Sequence, residues 1–452
     1  MFDRVLVANR GEIAVRVIRA LHELGIEAVA VFSMADRDAL HVELADHSVC
    51  IGPPAAAESY LSISNVVAAA VTTGCDAVHP GYGFLAENAE LVHACVDNDL
   101  AFIGPTAEVV EQMGDKVRAK EAMHAAGVPL VPGSEGAVGL EQARRAALEA
   151  GFPVLLKAAA GGGGKGMRLV SSEDELENAF GAASAEANAA FGDGAVYVEK
   201  LVSPARHVEI QVLCDAEGGV LTLGERECSI QRRHQKLVEE SPSTALDAET
   251  REAMESMVAA ACEAIGYRNA GTFEFLVGPD GAFYFIEVNC RLQVEHPVSE
   301  LVTGIDIVRE QVRIAAGERL AVTGRAARSG HALEIRINAE DPARGFLPSP
   351  GTVTRFVPPL GPGVRVDTAV GSGSEIPPYY DSMIAKVIVW DDTRDAAIVR
   401  AERALRELVV EGIPTTRDLA LDVLGSRAFR RGEYSTSTVT ELEHRLPSLA
   451  SA

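Results

Sequence analysis

Short apolar runs alternate with stretches of helical spacing through the first hundred residues, and nothing else in the chain restricts the fold as strongly. Arg4–Ala8, Ala28–Phe32, Ala77–His79 and Ala101–Gly104 have strand length. Between them Glu12–Leu24, Asn65–Thr72 and Ala86–Asp97 place apolar residues every three or four positions. That pattern predicts a parallel sheet covered by helices, a doubly wound α/β unit of about 110 residues. The turn after the first strand is Asn9-Arg10-Gly11-Glu12, not Gly-x-Gly-x-x-Gly, so dinucleotide binding finds no support. A Gly81-Tyr82-Gly83 turn follows the third run.

From about Val131 the pattern becomes α+β: a helix, a hairpin formed by Pro153–Ala159 and Met167–Val170, a helix over Glu173–Ala190, then strands Ala195–Lys200 and His207–Cys214. A second hairpin, Gly271–Val277 with Ala282–Val288, turns at Gly278-Pro279-Asp280-Gly281. After Gly330 a more β-rich region follows, ending in a helix at Ala396–Val410.

Composition excludes several classes. With 41 Lys+Arg against 65 Asp+Glu the net charge is -24, unfavourable for nucleic acid or an anionic membrane surface. No apolar run nears the roughly 20 residues that span a bilayer. The N-terminus enters a strand at once, without a signal segment, and the expected location is cytoplasmic. The 7 cysteines have no Cys-x-x-Cys spacing and read as reduced core residues.

Three segments carry chemistry. Gly161-Gly162-Gly163-Gly164-Lys165-Gly166 joins two strands and lacks the Ser or Thr of a P-loop, so it reads as a flap whose backbone N–H groups can approach an anion, with Lys157 adding charge; a plain flexible hinge is the alternative. In the second hairpin, a two- or four-residue loop pairs Glu274 with Phe285 and Thr272 with Glu287, leaving Glu274 and Glu287 as diagonal neighbours roughly 7–8 Å apart, able to share Mg²⁺ on a polyphosphate. Residues 287–296 alternate strictly, which puts Glu287, Asn289, Arg291, Gln293 and Glu295 on one side of an extended segment. Arg291 suits a small carboxylate-like anion, and Glu295 can act as general base. Ser229–Lys236 reads alone as a charged loop. Glu199-Lys200-Leu201-Val202 can serve as a nucleotide hinge, and Glu334, Arg336 and Asn338 share a strand face, where a salt bridge for Arg336 is the plain alternative.

Together these residues resemble the biotin carboxylase component of biotin-dependent acyl-CoA carboxylases, in the ATP-grasp superfamily. The resemblance covers essentially the whole chain and runs through Ala8–Ala14, His79–Leu85, Met113–Lys116, the glycine loop, Arg206–Glu209, Gln231–Lys236, Gly271–Phe275, Glu287–Pro297 and Tyr379-Tyr380-Asp381-Ser382-Met383. It implies a preATP-grasp, Rossmann-like domain over 1–112, an ATP-grasp domain over 113–330 with a mobile lid at about 131–202, and a C-terminal β-rich domain over 331–446. Lys116, Lys157, Gly162, Gly163, Gly164, Gly166 and His207 would hold ATP phosphates and ribose. Glu199, Lys200, Val202, Gln231, His234 and Leu276 would surround the nucleotide, and Glu274, Glu287 and Asn289 would hold Mg²⁺ or Mn²⁺. Lys236, Arg291, Gln293 and Val294 would bind bicarbonate, Glu295 would take its proton, and Arg336 would steady the biotin oxygen.

The implied reaction is ATP-dependent carboxylation of biotin through carboxyphosphate, the first half-reaction of an acyl-CoA carboxylase such as one feeding fatty acid biosynthesis. No Ala-Met-Lys-Met segment is present, so biotin is expected on a separate biotin carboxyl carrier protein, with a carboxyltransferase as further partner. Arg19 and Glu23 resemble dimer-interface positions of the family and imply a homodimer; a surface ion pair between them is the plain alternative. Cys290 and Ser299 stand where threonines are common, and both are expected to affect packing only. Two other functions stay open: an ATP-grasp ligase acting on another carboxylate, and a silent ATP-binding subunit.

Overall fold

The computed structural model describes residues 1–134, 136–159 and 167–442. The N-terminal region is a five-stranded parallel sheet of β1 (Arg4–Val7), β2 (Glu27–Ser33), β3 (His47–Gly52), β4 (Ala77–His79) and β5 (Ala101–Phe102), in the order β3-β2-β1-β4-β5. Helix α1 (Gly11–Glu23) buries Ile13, Val17 and Leu21 against it, and the same core takes in Leu213, Leu292 and Val312 from later in the chain. The two glycine-rich turns lock together. Asn9 Nδ2 donates to the Pro80 and Tyr82 carbonyls at 2.7 and 2.8 Å. Gly81, at φ +64°, leaves room for that amide, since a Cβ there would lie 2.9 Å from it.

A three-stranded sheet follows, with β6 (Val154–Ala158) between β7 (Met167–Val170) and β8 (Val196–Lys200), packed on α2 (Leu140–Ala150) and α3 (Glu173–Phe191). The glycine loop, and with it Gly162, Gly163, Gly164 and Gly166, lies outside the described residues.

The large sheet has nine strands. Eight of them are β9 (Arg206–Cys214), β10 (Val220–Arg232), β11 (Gln235–Ser241), β12 (Asn269–Val277), β13 (Phe283–Asn289), β14 (His331–Asn338), β15 (Val364–Thr368) and β16 (Met383–Asp391), and Gly324–Arg325 adds an edge to β10. Their order, β13-β12-β9-β10-β11-β14-β16-β15, carries one sheet across residue 330. The region after 330 continues past its helix, Arg394–Glu407, into strand Val409–Glu411 and helices Arg417–Gly425 and Arg427–Arg431.

Four expectations change. Ser229–Lys236 is not a loop. It is the end of β10, the start of β11 and a two-residue turn in which Arg233 and His234 both take positive φ, +48° and +66°. In the β12–β13 hairpin the connection 278–282 is five residues long, which moves the register by one so that Phe275 faces Phe285, and an irregularity between Glu274 and Phe275 moves it by one more, so Glu274 faces Glu287 directly. The strict alternation of 287–296 breaks at Asn289, where β13 ends; residues 290–295 form a bend and turn leading into helix α4 (His296–Thr303). Finally, Glu23 pairs with Arg309 at 3.4 Å rather than with Arg19.

Candidate functional site

Where the large sheet faces the N-terminal region and the three-stranded unit, a cavity of about 1340 Å³ opens. Sheet register builds its floor. Glu287, Glu274, Glu209 and Arg226 are consecutive partners across β13, β12, β9 and β10, which makes a lateral row of three carboxylates and a guanidinium. Two like charges directly opposite on a hairpin repel. Burial together with Glu274 raises the Glu287 carboxyl above its usual range. Glu274 itself is pulled well down against its burial by Lys236 and His207. Two carboxylates facing each other directly form an oxygen-rich pair that suits a hard divalent cation, and Asn289 Nδ2 donates to Glu274 Oε1 at 3.0 Å.

Lys236 is the hub. Its Nζ lies 2.8 Å from Glu209 and 3.2 Å from Glu274, and it also bonds Glu295. Burial opposes its charge, but these carboxylates hold the ammonium well above its ordinary range. Glu295 is fully buried, and although burial favours its neutral form, Lys236, Arg336 and Arg226 keep it ionised. Arg336 bridges Glu295 Oε2 at 2.8 Å and Glu239 Oε1 at 2.6 Å. Burial, with Glu295 adding its repulsion, pushes Glu239 to about 7 although Arg336 pulls it down.

On the opposite wall, Glu199 gathers Lys120 at 2.5 Å and Lys157. Arg291 reaches Asn289 Oδ1 at 2.8 Å, Gln293 Oε1 at 3.0 Å and Glu87 Oε2 at 2.7 Å. His207 Nε2 stands 3.1 Å from Glu274. Thus Lys116, Lys157, Glu199, Val202, His207, Gln231, His234, Lys236, Glu274, Leu276, Glu287, Asn289, Arg291, Gln293, Val294 and Arg336 all line one cavity. Glu295 sits behind that lining. The Lys200 side chain turns away and donates to the Gly151 and Phe152 carbonyls at 2.6 and 3.2 Å.

Sequence reasoning gave no role to Glu209, Arg226, Glu239, Lys120 or Glu87. Glu209 follows His207 at the strand period of two, which was the available signal; the others depend on long-range pairing. Ser299 is also more than packing, because its Oγ accepts from buried Arg226 at 3.0 Å.

A cationic, acid-floored cavity between an antiparallel sheet and a smaller three-stranded unit defines an ATP-grasp enzyme. Residues 115–323 match the family "Carbamoyl-phosphate synthase L chain, ATP binding domain", while residues 1–110 and 334–441 match the biotin carboxylase N-terminal and C-terminal domain families. Biotin carboxylase of Nostoc sp. is 54% identical over 98% of this chain and 99% of its own, and biotin carboxylase 1 of Bacillus subtilis is 53% identical over 96% and 98%. The biotin carboxylase domain of Hydrogenobacter thermophilus 2-oxoglutarate carboxylase, solved as a dimer with MgADP, ADP and bicarbonate, superposes with a TM-score of 0.92 at 49% identity, covering 98% of each chain. The chain belongs to the biotin carboxylase family, whose members carboxylate biotin at the expense of ATP.

Proposed function

We propose that the cavity activates bicarbonate with ATP and passes the carboxyl group to biotin held on a carrier protein. Lys116, Lys157 and His207, with the glycine loop, hold the phosphates; Glu199, Val202, Gln231, His234 and Leu276 surround the rest of the nucleotide, while the Lys200 side chain, turned away, takes no part. Glu274, Glu287 and Asn289 would hold Mg²⁺ or Mn²⁺, which neutralises phosphate charge when bound. Arg291, Gln293, Val294 and Lys236 form the bicarbonate end.

The observation that carries this reading is Glu295, buried and bonded to both Lys236 and Arg336. While both cations bear on it, the carboxylate is a weak base. When bicarbonate and phosphate oxygens claim part of their charge, its proton affinity rises and it can take the bicarbonate proton as the oxygen attacks the γ-phosphate. Carboxyphosphate breaks its carbon–oxygen bond to give CO₂ and phosphate; the phosphate takes the ring N–H proton of biotin, Arg336 supports the negative charge on the ureido oxygen, and the nitrogen bonds the CO₂ carbon. A closed, water-poor site protects that intermediate.

The relatives' names support a role within a larger carboxylase: one, from Methanothermobacter thermautotrophicus, is named as a component of pyruvate carboxylase, and one solved neighbour is the biotin carboxylase subunit of pyruvate carboxylase. We assign a carrier protein and a carboxyltransferase as partners, a homodimer as the assembly and the cytoplasm as location; no helix among the described residues is long and apolar enough to cross a membrane. Glu295→Gln tests the reading. It should lower bicarbonate-dependent ADP release about 100-fold or more and leave Mg-ATP binding, measured by calorimetry, within about threefold. Near-normal turnover would overturn the role of Glu295 as base.

A further inference from the structure

Beneath the bicarbonate end lies a lysine that none of these roles uses. Lys386 is mid-strand in β16 and 0% exposed. Register places it between Arg336 on β14 and Asp367 on β15. A buried ammonium is costly unless it is paired and hydrogen-bonded, so its partners indicate what it holds. They come from α1, from the turn before α4 and from the neighbouring strand β15. Nζ donates to the Val294 carbonyl at 2.8 Å, and lies 3.3 Å from Glu12 Oε1 on α1 and 3.9 Å from Asp367 Oδ2. Glu12 Oε1 also accepts the hydroxyl of Tyr82, a residue of the cavity wall. Asp367 is the loosest of the three because Arg365 already grips it with two bonds of 2.8 and 2.7 Å.

Were Lys386 present only to neutralise core carboxylates, its shortest bond would go to a carboxylate. It goes instead to the carbonyl that precedes Glu295. The peptide joining Val294 to Glu295 is planar, so fixing its oxygen also fixes the opposite N–H and the direction in which Glu295 leaves the backbone. Residues 290–295 belong to neither β13 nor α4, and no ladder does this for them.

We infer that Lys386 is a positioning residue for bicarbonate activation: its ammonium holds the Val294–Glu295 peptide and, through Glu12 and Tyr82, ties that segment to the N-terminal wall of the cavity. This rests on the assignment of Gln293, Val294 and Glu295 to bicarbonate made above.

The test is steady-state ADP release against bicarbonate and against ATP for Lys386→Met and for the double variant K386M/E12Q. The double variant removes the cation and its nearest carboxylate together, so that no charge of the pair is left uncompensated. In both, the bicarbonate KM should rise about ten- to a hundredfold, the loss of one charge-assisted hydrogen bond, with the ATP KM within about twofold of the parent. An unchanged bicarbonate KM in a folded variant, an equal rise in both KM values, or failure of both variants to fold would each overturn the inference. Gln293→Ala run alongside separates the two claims. A raised bicarbonate KM there without one in K386M sinks the positioning role alone, while no rise in either sinks the bicarbonate assignment itself.

Discussion

Replacing Arg226 by methionine probes the buried electrostatic floor of the site. Its guanidinium is fully buried and donates to Glu209 Oε1 at 2.5 Å, Gln211 Oε1 at 2.7 Å, Ser299 Oγ at 3.0 Å and Thr272 Oγ1 at 3.1 Å. Methionine keeps much of the volume but leaves Glu209 to share Lys236 with Glu274 and Glu295. Breaking a buried ion pair by removing one partner costs about 3–5 kcal/mol. Because Lys236 stays 2.8 Å from the other Glu209 oxygen, the loss should fall at the lower end of that range. Urea unfolding followed by circular dichroism reads it, and a double-mutant cycle with Glu209→Gln isolates the cause. In the E209Q background the same substitution should cost only about 1 kcal/mol, since no charge remains stranded. A loss below about 1 kcal/mol in R226M, or equal losses in both backgrounds, would refute the reasoning.

Two further outcomes follow from the same geometry. Glu287→Gln removes one of the two facing carboxylates and should raise the Mg²⁺ needed for half-maximal ADP release by at least about tenfold; an unchanged Mg²⁺ requirement would place the cation elsewhere. Glu240 is held at about 2, against the upward pull of burial, by its bonds to His331 and Arg394 of 2.6 and 2.7 Å. A carboxyl lowered on folding stabilises above its unfolded value and loses that contribution as pH falls through its folded one. Stability should therefore drop from near pH 4.3 toward pH 2, by about 3 kcal/mol. Glu240→Gln should be less stable at pH 7 by a similar amount, with the difference closing over that acid range in unfolding curves taken at several pH values.

The N-terminal sheet was legible because its strands are apolar and its helices periodic, both of which are local signals. His47–Gly52 escaped since its edge position leaves His47, Ser48 and Cys50 exposed and removes the apolar run. The hairpin turn at Gly278–Gly281 was readable, yet a connection one residue longer than expected and an irregularity beside Glu274 together shifted the carboxylates from diagonal to opposite. Glu287, Asn289, Arg291 and Gln293 line one cavity, but not as the face of one strand, and Glu295 sits behind them. The chain bends after Asn289, and the bend, not a strand face, brings Arg291 and Gln293 into the cavity beside Asn289. Arg226, Glu239 and Lys386 carry no local motif. Their significance lies in partners at separations such as 17 residues for Arg226–Glu209, 97 for Arg336–Glu239 and 92 for Lys386–Val294, which only the folded sheet brings together.

The most direct test of the account is ADP release by the purified protein with Mg-ATP and bicarbonate, with and without free biotin, alongside trapping of carboxybiotin from labelled bicarbonate. The account predicts that biotin stimulates ADP release and that carboxybiotin forms in matching amount. ATP binding with neither biotin stimulation nor carboxybiotin, even after a biotinylated carrier is supplied, would contradict it.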